Sequence, residues 1–152
     1  MLNKIFFFIT MIFSSLCLAN DHSFKLIING NETRITTADL EKIPSLEIRT
    51  STNFTPSSVF TGVSFKELAK NYPIGLGRIR AFAWDDYSYT MPIPELLKYN
   101  AILAYKKDGN YIDISALGPY AIIYPRDSYP ELETLEVNAK TVWQIKTLEI
   151  LK

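Results

Sequence analysis

The sequence predicts an α+β fold in which a mixed β-sheet is combined with a few short helices. Three observations favour this class. Residues 45–50 alternate apolar and polar side chains, with the period of a half-buried strand. An Asn-Gly pair at 29–30 and an Asp-Gly pair at 108–109 are typical of hairpin turns between short strands. Ser64 and Glu67 have the spacing of a helix capping box, so helices are expected between the strands.

The individual elements follow from periodicity and from turn residues. The predicted strands are 24–28, 33–36, 45–50, 79–83, 87–91, 101–105, 111–114, 120–124 and 141–151. The predicted helices are 37–43, 65–71 and a segment within 92–99. Pro44 ends the first of these helices, and Pro94 is tolerated in the first turn of the third. Residues 125–130 are predicted to form an irregular polar loop.

The N-terminal segment has the pattern of a secretory signal peptide. Lys4 is followed by an apolar run at 5–13 and by small residues that end at Ala19. The run is too short to be a spanning helix. Residues 1–19 are therefore predicted to be cleaved, leaving one periplasmic domain at 20–152. Cleavage would remove Cys17; the alternative, lipid modification of Cys17, is opposed by Leu16, where a small residue is expected.

Composition and charge exclude several classes of function. The chain has 16 basic and 16 acidic residues and no clustered basic run, so no nucleic-acid partner is expected. It has one cysteine and one histidine, and these cannot make a disulfide framework or a zinc site. No metal is therefore expected. His22 lies close to the predicted cleavage site, a poor position for a catalytic group.

Five segments in order carry a resemblance to a known family. They are TGVSFKEL at 61–68, the segment 85–93 with its Asp-Asp-Tyr start, the segment 103–109, the segment 118–125 that begins Gly-Pro-Tyr, and 142–150. Together they resemble the molybdopterin-binding domain of the sulfite oxidase type. The resemblance extends from about Phe24 to the C-terminus and implies the mixed sheet of that domain.

One departure from the family changes the functional expectation. In catalytic members a cysteine near the end of an early strand ligates molybdenum, whereas the stretch 49–55 reads RTSTNFT here. The sequence therefore resembles a cysteine-free branch of small periplasmic proteins. This resemblance implies a non-catalytic protein that binds a pterin or molybdopterin-like ligand. It also implies a partner, the periplasmic domain of a membrane signalling protein such as a cyclic-di-GMP enzyme. Two alternatives remain: a molybdopterin-dependent oxidoreductase or its subunit, and a ligand-free interaction module.

Two short segments supply the candidate ligand-binding residues. Asp86 and Tyr87 lie at the tip of a predicted hairpin, where a carboxylate can accept the amino and ring N–H groups of a pterin. The alternative is that the acid only stabilises the turn. Phe54 can stack on a flat heterocycle or pack in the core. Thr52 and Asn53 can hydrogen-bond the ligand or cap a turn.

Arg126 is the last candidate, because it follows a buried strand at the expected edge of the pocket. There it can face a phosphate, a hydroxylated tail or a partner protein. The alternative is a surface pair with Asp127, which contributes little. Trp84 and Trp143 are both predicted to pack in the core.

Overall fold

The computed structural model describes residues 22–152. The predicted signal peptide at 1–19 and Cys17 lie outside this range. Within it the chain forms ten strands, four short α-helices and three 3-10 turns. None of the helices described is long and apolar enough to cross a membrane.

The elements are short throughout. The strands are β1 Ser23–Ile28, β2 Asn31–Thr36, β3 Ser45–Thr50, β4 Ser58–Ser64, β5 Arg78–Ala83, β6 Ser88–Pro92, β7 Ile102–Lys107, β8 Asn110–Tyr111, β9 Ala121–Ile123 and β10 Ile145–Leu151. The helices are α1 Thr37–Glu41, α2 Phe65–Asn71, α3 Ile93–Lys98 and α4 Leu135–Lys140. The 3-10 turns are Ile114–Ala116, Arg126–Ser128 and Pro130–Leu132.

These strands form two sheets of five. The first sheet has the order β2-β1-β10-β5-β6 and is mixed, because β1 runs parallel to β10 while its other pairs are antiparallel. The second sheet has the order β3-β4-β7-β8, with β9 also paired to β7, and all its pairs are antiparallel. The predicted α+β class is confirmed. The expectation of one mixed sheet was incomplete, since the antiparallel strands form a second sheet of their own.

The turn and cap chemistry explains why several elements begin where they do. Asn29 and Gly30 both have positive φ, at 52° and 79°, and connect β1 to β2. The Ser64 hydroxyl accepts the Glu67 N–H at 3.2 Å, which confirms the predicted start of α2. At α1, Thr36 and Asp39 form a reciprocal capping box.

Several predicted boundaries were wrong. The last strand begins at Ile145, and residues 141–144 are instead an irregular segment. The predicted strand 111–114 shortens to β8 and is followed by a 3-10 turn, since the Asp113 carboxylate accepts the Ser115 N–H. The predicted loop 125–130 contains the turn Arg126–Ser128. Strand β4 and helix α4 were not predicted as elements.

The core has two parts, separated by the second sheet. The larger part combines inward-facing residues of both sheets and of the helices, and it includes Phe24 in edge-to-face contact with Tyr120 at 5.2 Å. The smaller part lies on the opposite face of the second sheet and is covered by Trp143, whose ring is 6.1 Å from that of Phe60. The prediction of core packing is confirmed for Trp143, which is 8% exposed. It is wrong for Trp84, which is 62% exposed at a hairpin tip.

Ionisation of Tyr120 is predicted to destabilise the folded protein at high pH. Burial raises its pKa to about 12, although the hydrogen bond with the Thr37 hydroxyl, at 2.7 Å, works in the opposite direction. The unfolded phenol ionises near pH 10. A raised folded pKa means that its contribution is fully present below about pH 10 and is lost as the pH rises towards 12. We expect the urea midpoint of unfolding to fall across this interval.

The matched variant for this prediction is Tyr120→Phe, which keeps the ring and removes the ionisable group. Thr37 can still donate to the His22 carbonyl at 3.3 Å. We expect a loss of about 1 kcal/mol at neutral pH, the typical net value of one hydrogen bond. The stability difference between the two proteins should shrink above pH 10; a constant difference would contradict the assignment.

Candidate functional site

A cleft of about 340 Å³ lies beside Trp143, where five segments of the chain meet. They are the β3–β4 loop, the end of β5 with the β5–β6 turn, Leu117 after the first 3-10 turn, helix α4 with the residue that follows it, and the irregular segment before β10. The volume lies at the lower end of the range of small-molecule sites. The cleft is lined by aromatic and polar side chains, chiefly Asn53, Phe54, Asp85, Tyr87, Asn138 and Trp143.

Aromatic rings form one wall of the cleft. Phe54 is 63% exposed, so it belongs to the site and not to the core. Its ring meets that of Trp143 edge-to-face at a centroid distance of 6.3 Å. Trp143 in turn rests on Phe60, which is fully buried. An exposed ring supported by a fixed one is suited to hold a flat ligand with little loss of side-chain entropy.

The loop that carries Phe54 is closed by Thr52. The Thr52 hydroxyl accepts the backbone N–H groups of Phe54 and Thr55 at 3.1 and 3.0 Å, and it also pairs with the Thr55 hydroxyl at 2.9 Å. The structure therefore places Thr52 in a positioning role, as the turn-capping alternative predicted. Asn53, between them, lines the cleft.

The two adjacent acids of the β5–β6 turn have different surroundings. Asp85 lines the cleft, and its carboxylate also accepts the Tyr87 N–H at 3.0 Å. Asp86 has a positive φ of 67°, and its side chain is 92% exposed and paired with Lys146 at 2.9 Å. Asp85 is therefore the acid that lines the cleft, and its carboxylate also stabilises the turn, while Asp86 is not among the lining residues.

Tyr87 ties this turn to the helix on the other side of the cleft. Its hydroxyl donates to the Ala139 carbonyl at 2.9 Å, and its ring lines the cleft. Burial, and to a smaller extent the neighbouring Tyr89 and Asp85, raise the pKa of this phenol. It therefore remains a neutral donor at physiological pH.

Two polar atoms of cleft residues have no hydrogen-bond partner among residues 22–152. They are Oδ1 of Asn138 and the indole Nε1 of Trp143, both shielded from solvent. Leaving such an atom unpaired costs about 1–3 kcal/mol. Both atoms belong to residues that line the cleft, so the polar groups of its wall are not fully satisfied by the protein itself.

Helix α4, which supplies Asn138 and Ala139, is anchored by a buried ion pair. The Lys140 ammonium lies 2.8 Å from the Glu95 carboxylate of α3, and the Lys140 side chain is only 6% exposed. Burial opposes the charge, but the hydrogen bonds and charges of Glu136 and Glu95 outweigh it and raise the pKa of Lys140. Tyr124 adds a hydroxyl donor to Glu95 at 3.0 Å. These contacts with Glu95 hold helix α4, and with it one wall of the cleft, in position.

Arg126 does not lie in this cleft. It borders a separate hollow of about 150 Å³ with Ser51, Asp127, Pro130 and Glu133. The pair predicted as its alternative, with Asp127, is absent from the ion pairs of the described residues. Asp127 instead accepts the Ser51 hydroxyl at 2.6 Å and the Ser51 N–H at 2.9 Å, and these bonds lower its pKa.

Three of the six predicted binding residues line the cleft: Asn53, Phe54 and Tyr87. Asp85 also lines it, whereas the prediction had named the neighbouring Asp86. The prediction also missed Asn138, because helix α4 was not predicted, and it assigned Trp143 to the core alone. Trp143 nevertheless lies in the segment 142–150, which was one of those that carried the family resemblance. That resemblance was the available sign that Trp143 could belong to a binding site.

The donor atoms near the cleft do not fit a molybdenum ion held by the protein. The segment that corresponds to the family's cysteine supplies the hydroxyls of Ser51 and Thr52, and both are engaged in the loop contacts described above. Within residues 22–152 no group of three histidine, cysteine or acidic residues is placed to hold a metal. The soft sulfur donor that the metal requires is lacking here.

The two sheets and the few short helices define an α+β domain whose fold is shared with a solved structure. A solved structure that shares it is the sulfane dehydrogenase SoxCD from Paracoccus pantotrophus, with a TM-score of 0.62 and 12% sequence identity. The match covers 85% of this chain and 38% of the dehydrogenase chain, and at this identity it shows the fold alone. No protein-family model matches the sequence. No curated protein matches it either.

Proposed function

We propose that this chain is a non-catalytic periplasmic binding protein for a free pterin or a closely similar flat heterocycle. The observation that carries the proposal is the cleft itself. It combines the stacking surface of Phe54 and Trp143 with one acidic residue of the lining, Asp85. A pterin presents a flat face and an edge of paired N–H donors, and these two features are complementary to that pair of walls.

The charge of the cleft favours a ligand without phosphate. Its lining within the described residues contains Asp85 and no lysine or arginine. Phosphate groups are held by basic side chains or by backbone N–H groups at helix ends. A phosphate-bearing molybdopterin is therefore a poorer match than an unphosphorylated pterin. Asn53, Asn138 and Gln144 supply amide groups in the lining for the remaining polar groups of the ligand.

The proposal extends to a partner, on the basis of the family resemblance. The ligated form would dock on the periplasmic domain of a membrane signalling protein, such as a cyclic-di-GMP cyclase or phosphodiesterase. This requires only that the partner binds the ligated form more tightly than the free form. Trp84, exposed beside the cleft with its backbone N–H bonded to Gln144 at 3.0 Å, is a large aromatic surface of the kind enriched in interface hot spots.

The test uses two adjacent acids as a matched pair. Asp85→Asn is expected to weaken biopterin binding about 10–100-fold, since it removes a charged acceptor worth about 1.5–3 kcal/mol. Asp86→Asn changes the charge of the protein by the same amount one residue away, outside the cleft, and should leave the affinity within about twofold. Isothermal titration calorimetry measures both, with the unfolding temperature as a control for folding.

A second ligand separates edge recognition from stacking. Lumazine keeps the fused rings and its ring N–H groups but has an oxo group where a pterin has its amino group, so it should bind the unmodified protein more weakly and lose less affinity on Asp85→Asn than biopterin does. Equal effects of the two substitutions on biopterin would overturn the placement of the ligand. Stoichiometric molybdenum in protein from its native compartment would favour the oxidoreductase alternative. No binding of biopterin or lumazine would favour the interaction module.

A further inference from the structure

Strand β3 is an open edge of the second sheet. Its inner side pairs with β4 over its whole length, from Ser45 opposite Val63 to Thr50 opposite Ser58. Among the described residues, the backbone of 45–49 makes no hydrogen bond to any element other than β4. An exposed edge of this kind presents a row of N–H and C=O groups that another extended chain can pair with.

Two hollows follow this edge at residues 44–49. One, of about 370 Å³, lies between 46–49 and the segment around Tyr129, with Tyr99 also in its wall. The second, of about 340 Å³, extends from Leu46 past Pro44 to the start of α2. Leu46 and Asn100 border both hollows, which therefore adjoin and together form the groove.

Aromatic rings make the surface of the groove suitable for side chains of an added strand. Tyr99 and Tyr129 pack edge-to-face with centroids 5.2 Å apart, and Tyr129 remains 39% exposed. Leu46 is half-buried on the β3 side of the same groove. Apolar side chains at alternate positions of an extended peptide can be covered by this surface, since every second residue of a strand faces the same way.

The lining of the groove carries three basic side chains, Arg49, Lys66 and Lys70, against two acidic ones, Glu47 and Glu67. Arg49 and Lys66 border it, are exposed and take part in no ion pair within residues 22–152. The ammonium of Lys98 lies 4.5 Å above the Tyr99 ring. Lys70 is neutralised by Glu67, and Glu47 is the one acid of the groove lining without an ion pair in the described part of the chain. An acidic partner segment would therefore be attracted to it.

We propose that the free edge of β3 and its groove bind an extended, acidic segment of a partner protein, which is added to the second sheet as a further strand. Backbone pairing supplies the register, the Tyr99–Tyr129 surface receives apolar side chains, and Arg49 and Lys66 select for acidic ones. The surface lies outside the cleft and does not depend on the proposed ligand.

The probe is a capped peptide of six residues that alternates glutamate with valine, titrated into the isotope-labelled protein. Two-dimensional amide NMR should show shifts concentrated in β3 and slower hydrogen exchange of its outward-facing amides. A peptide of the same sequence with alternate backbone nitrogens methylated cannot form the ladder and should bind at least about tenfold more weakly. A peptide with lysine in place of glutamate should also be at least about tenfold weaker.

Variants complete the test. Arg49→Glu and Tyr129→Ala should each weaken binding of the acidic peptide at least about fivefold, whereas Arg80→Glu, on the exposed face of the first sheet, should not. Shifts that leave out β3, or equal binding of the methylated peptide, would refute strand addition. Loss of all binding at millimolar peptide would do so too. A dimer that Arg49→Glu converts to a monomer would show that a second copy covers the edge and would overturn the proposal. Biopterin titrations are unaffected by any of these outcomes.

Discussion

Replacing Lys140 with methionine is expected to lower the free energy of unfolding by about 3–5 kcal/mol, the typical loss when one partner of a buried ion pair is removed. The ammonium lies 2.8 Å from the Glu95 carboxylate, and the side chains of Lys140 and Glu95 are 6% and 24% exposed. The Glu95 carboxylate would be left with the Tyr124 hydroxyl as its remaining partner. Urea unfolding followed by tryptophan fluorescence measures the change.

Two further variants show whether the buried charge is responsible. Lys140→Met combined with Glu95→Gln removes both charges and should recover most of the loss, because no uncompensated charge remains. Glu136→Gln removes only the partner that is 66% exposed and should cost no more than about 1 kcal/mol. If Lys140→Met alone stayed within 1 kcal/mol of the unmodified protein, the ion pair would not be what holds α4.

Gly62→Ala is expected to be at least as damaging, about 4–5 kcal/mol or more. A Cβ at this position would lie 2.1 Å from the Leu103 carbonyl oxygen and 2.6 Å from the Ala104 Cα, both backbone atoms of the neighbouring strand. The β4–β7 register shifts at this point, between Thr61 and Gly62. The added methyl would therefore separate two central strands of the second sheet, which side-chain rearrangement cannot relieve. Circular dichroism and a thermal unfolding curve measure the loss.

Gly75→Asn is the control. Gly75 has a φ of 64°, and an added Cβ would meet no atom within 4 Å. Asparagine tolerates this left-handed conformation better than most residues, so a cost below about 1 kcal/mol is expected. A Gly62→Ala protein that unfolded at nearly the same urea concentration as Gly75→Asn would contradict the close packing of β4 on β7.

Local signals made part of the fold predictable. The Asn-Gly and Asp-Gly turns and the cap at Ser64 act over a few residues, and the structure confirms each of them. Strand β4 was missed because it contains Gly62 and several small polar residues, and its burial comes from neighbours distant in the sequence. The division into two sheets depends on pairs such as β1 with β10, which join the two ends of the described chain and leave no periodic signal.

The site was predictable only in part, for a related reason. The acids at 85 and 86 are chemically identical, and the one that lines the cleft is set by the positive φ of Asp86 and by its ion pair with Lys146. Neither the backbone angle nor the distant ion pair can be recognised from the residues next to them in the sequence. Trp143 packs in the smaller part of the core and also lines the cleft, so its prediction as a core residue described only one of its two roles. The role of Asn138 depends on α4, a helix of six residues with one buried apolar side chain.

The pairing of β10 has a consequence for the order in which the domain can fold. Among the described strands β10 comes last in the sequence, yet it lies in the middle of the first sheet, between β1 and β5. Until residues 145–151 are paired, β1 and β5 have no partner on their inner edges. The first sheet can therefore close only after β10 has entered it, and the contacts that join β1 to β5 through β10 must form late in folding.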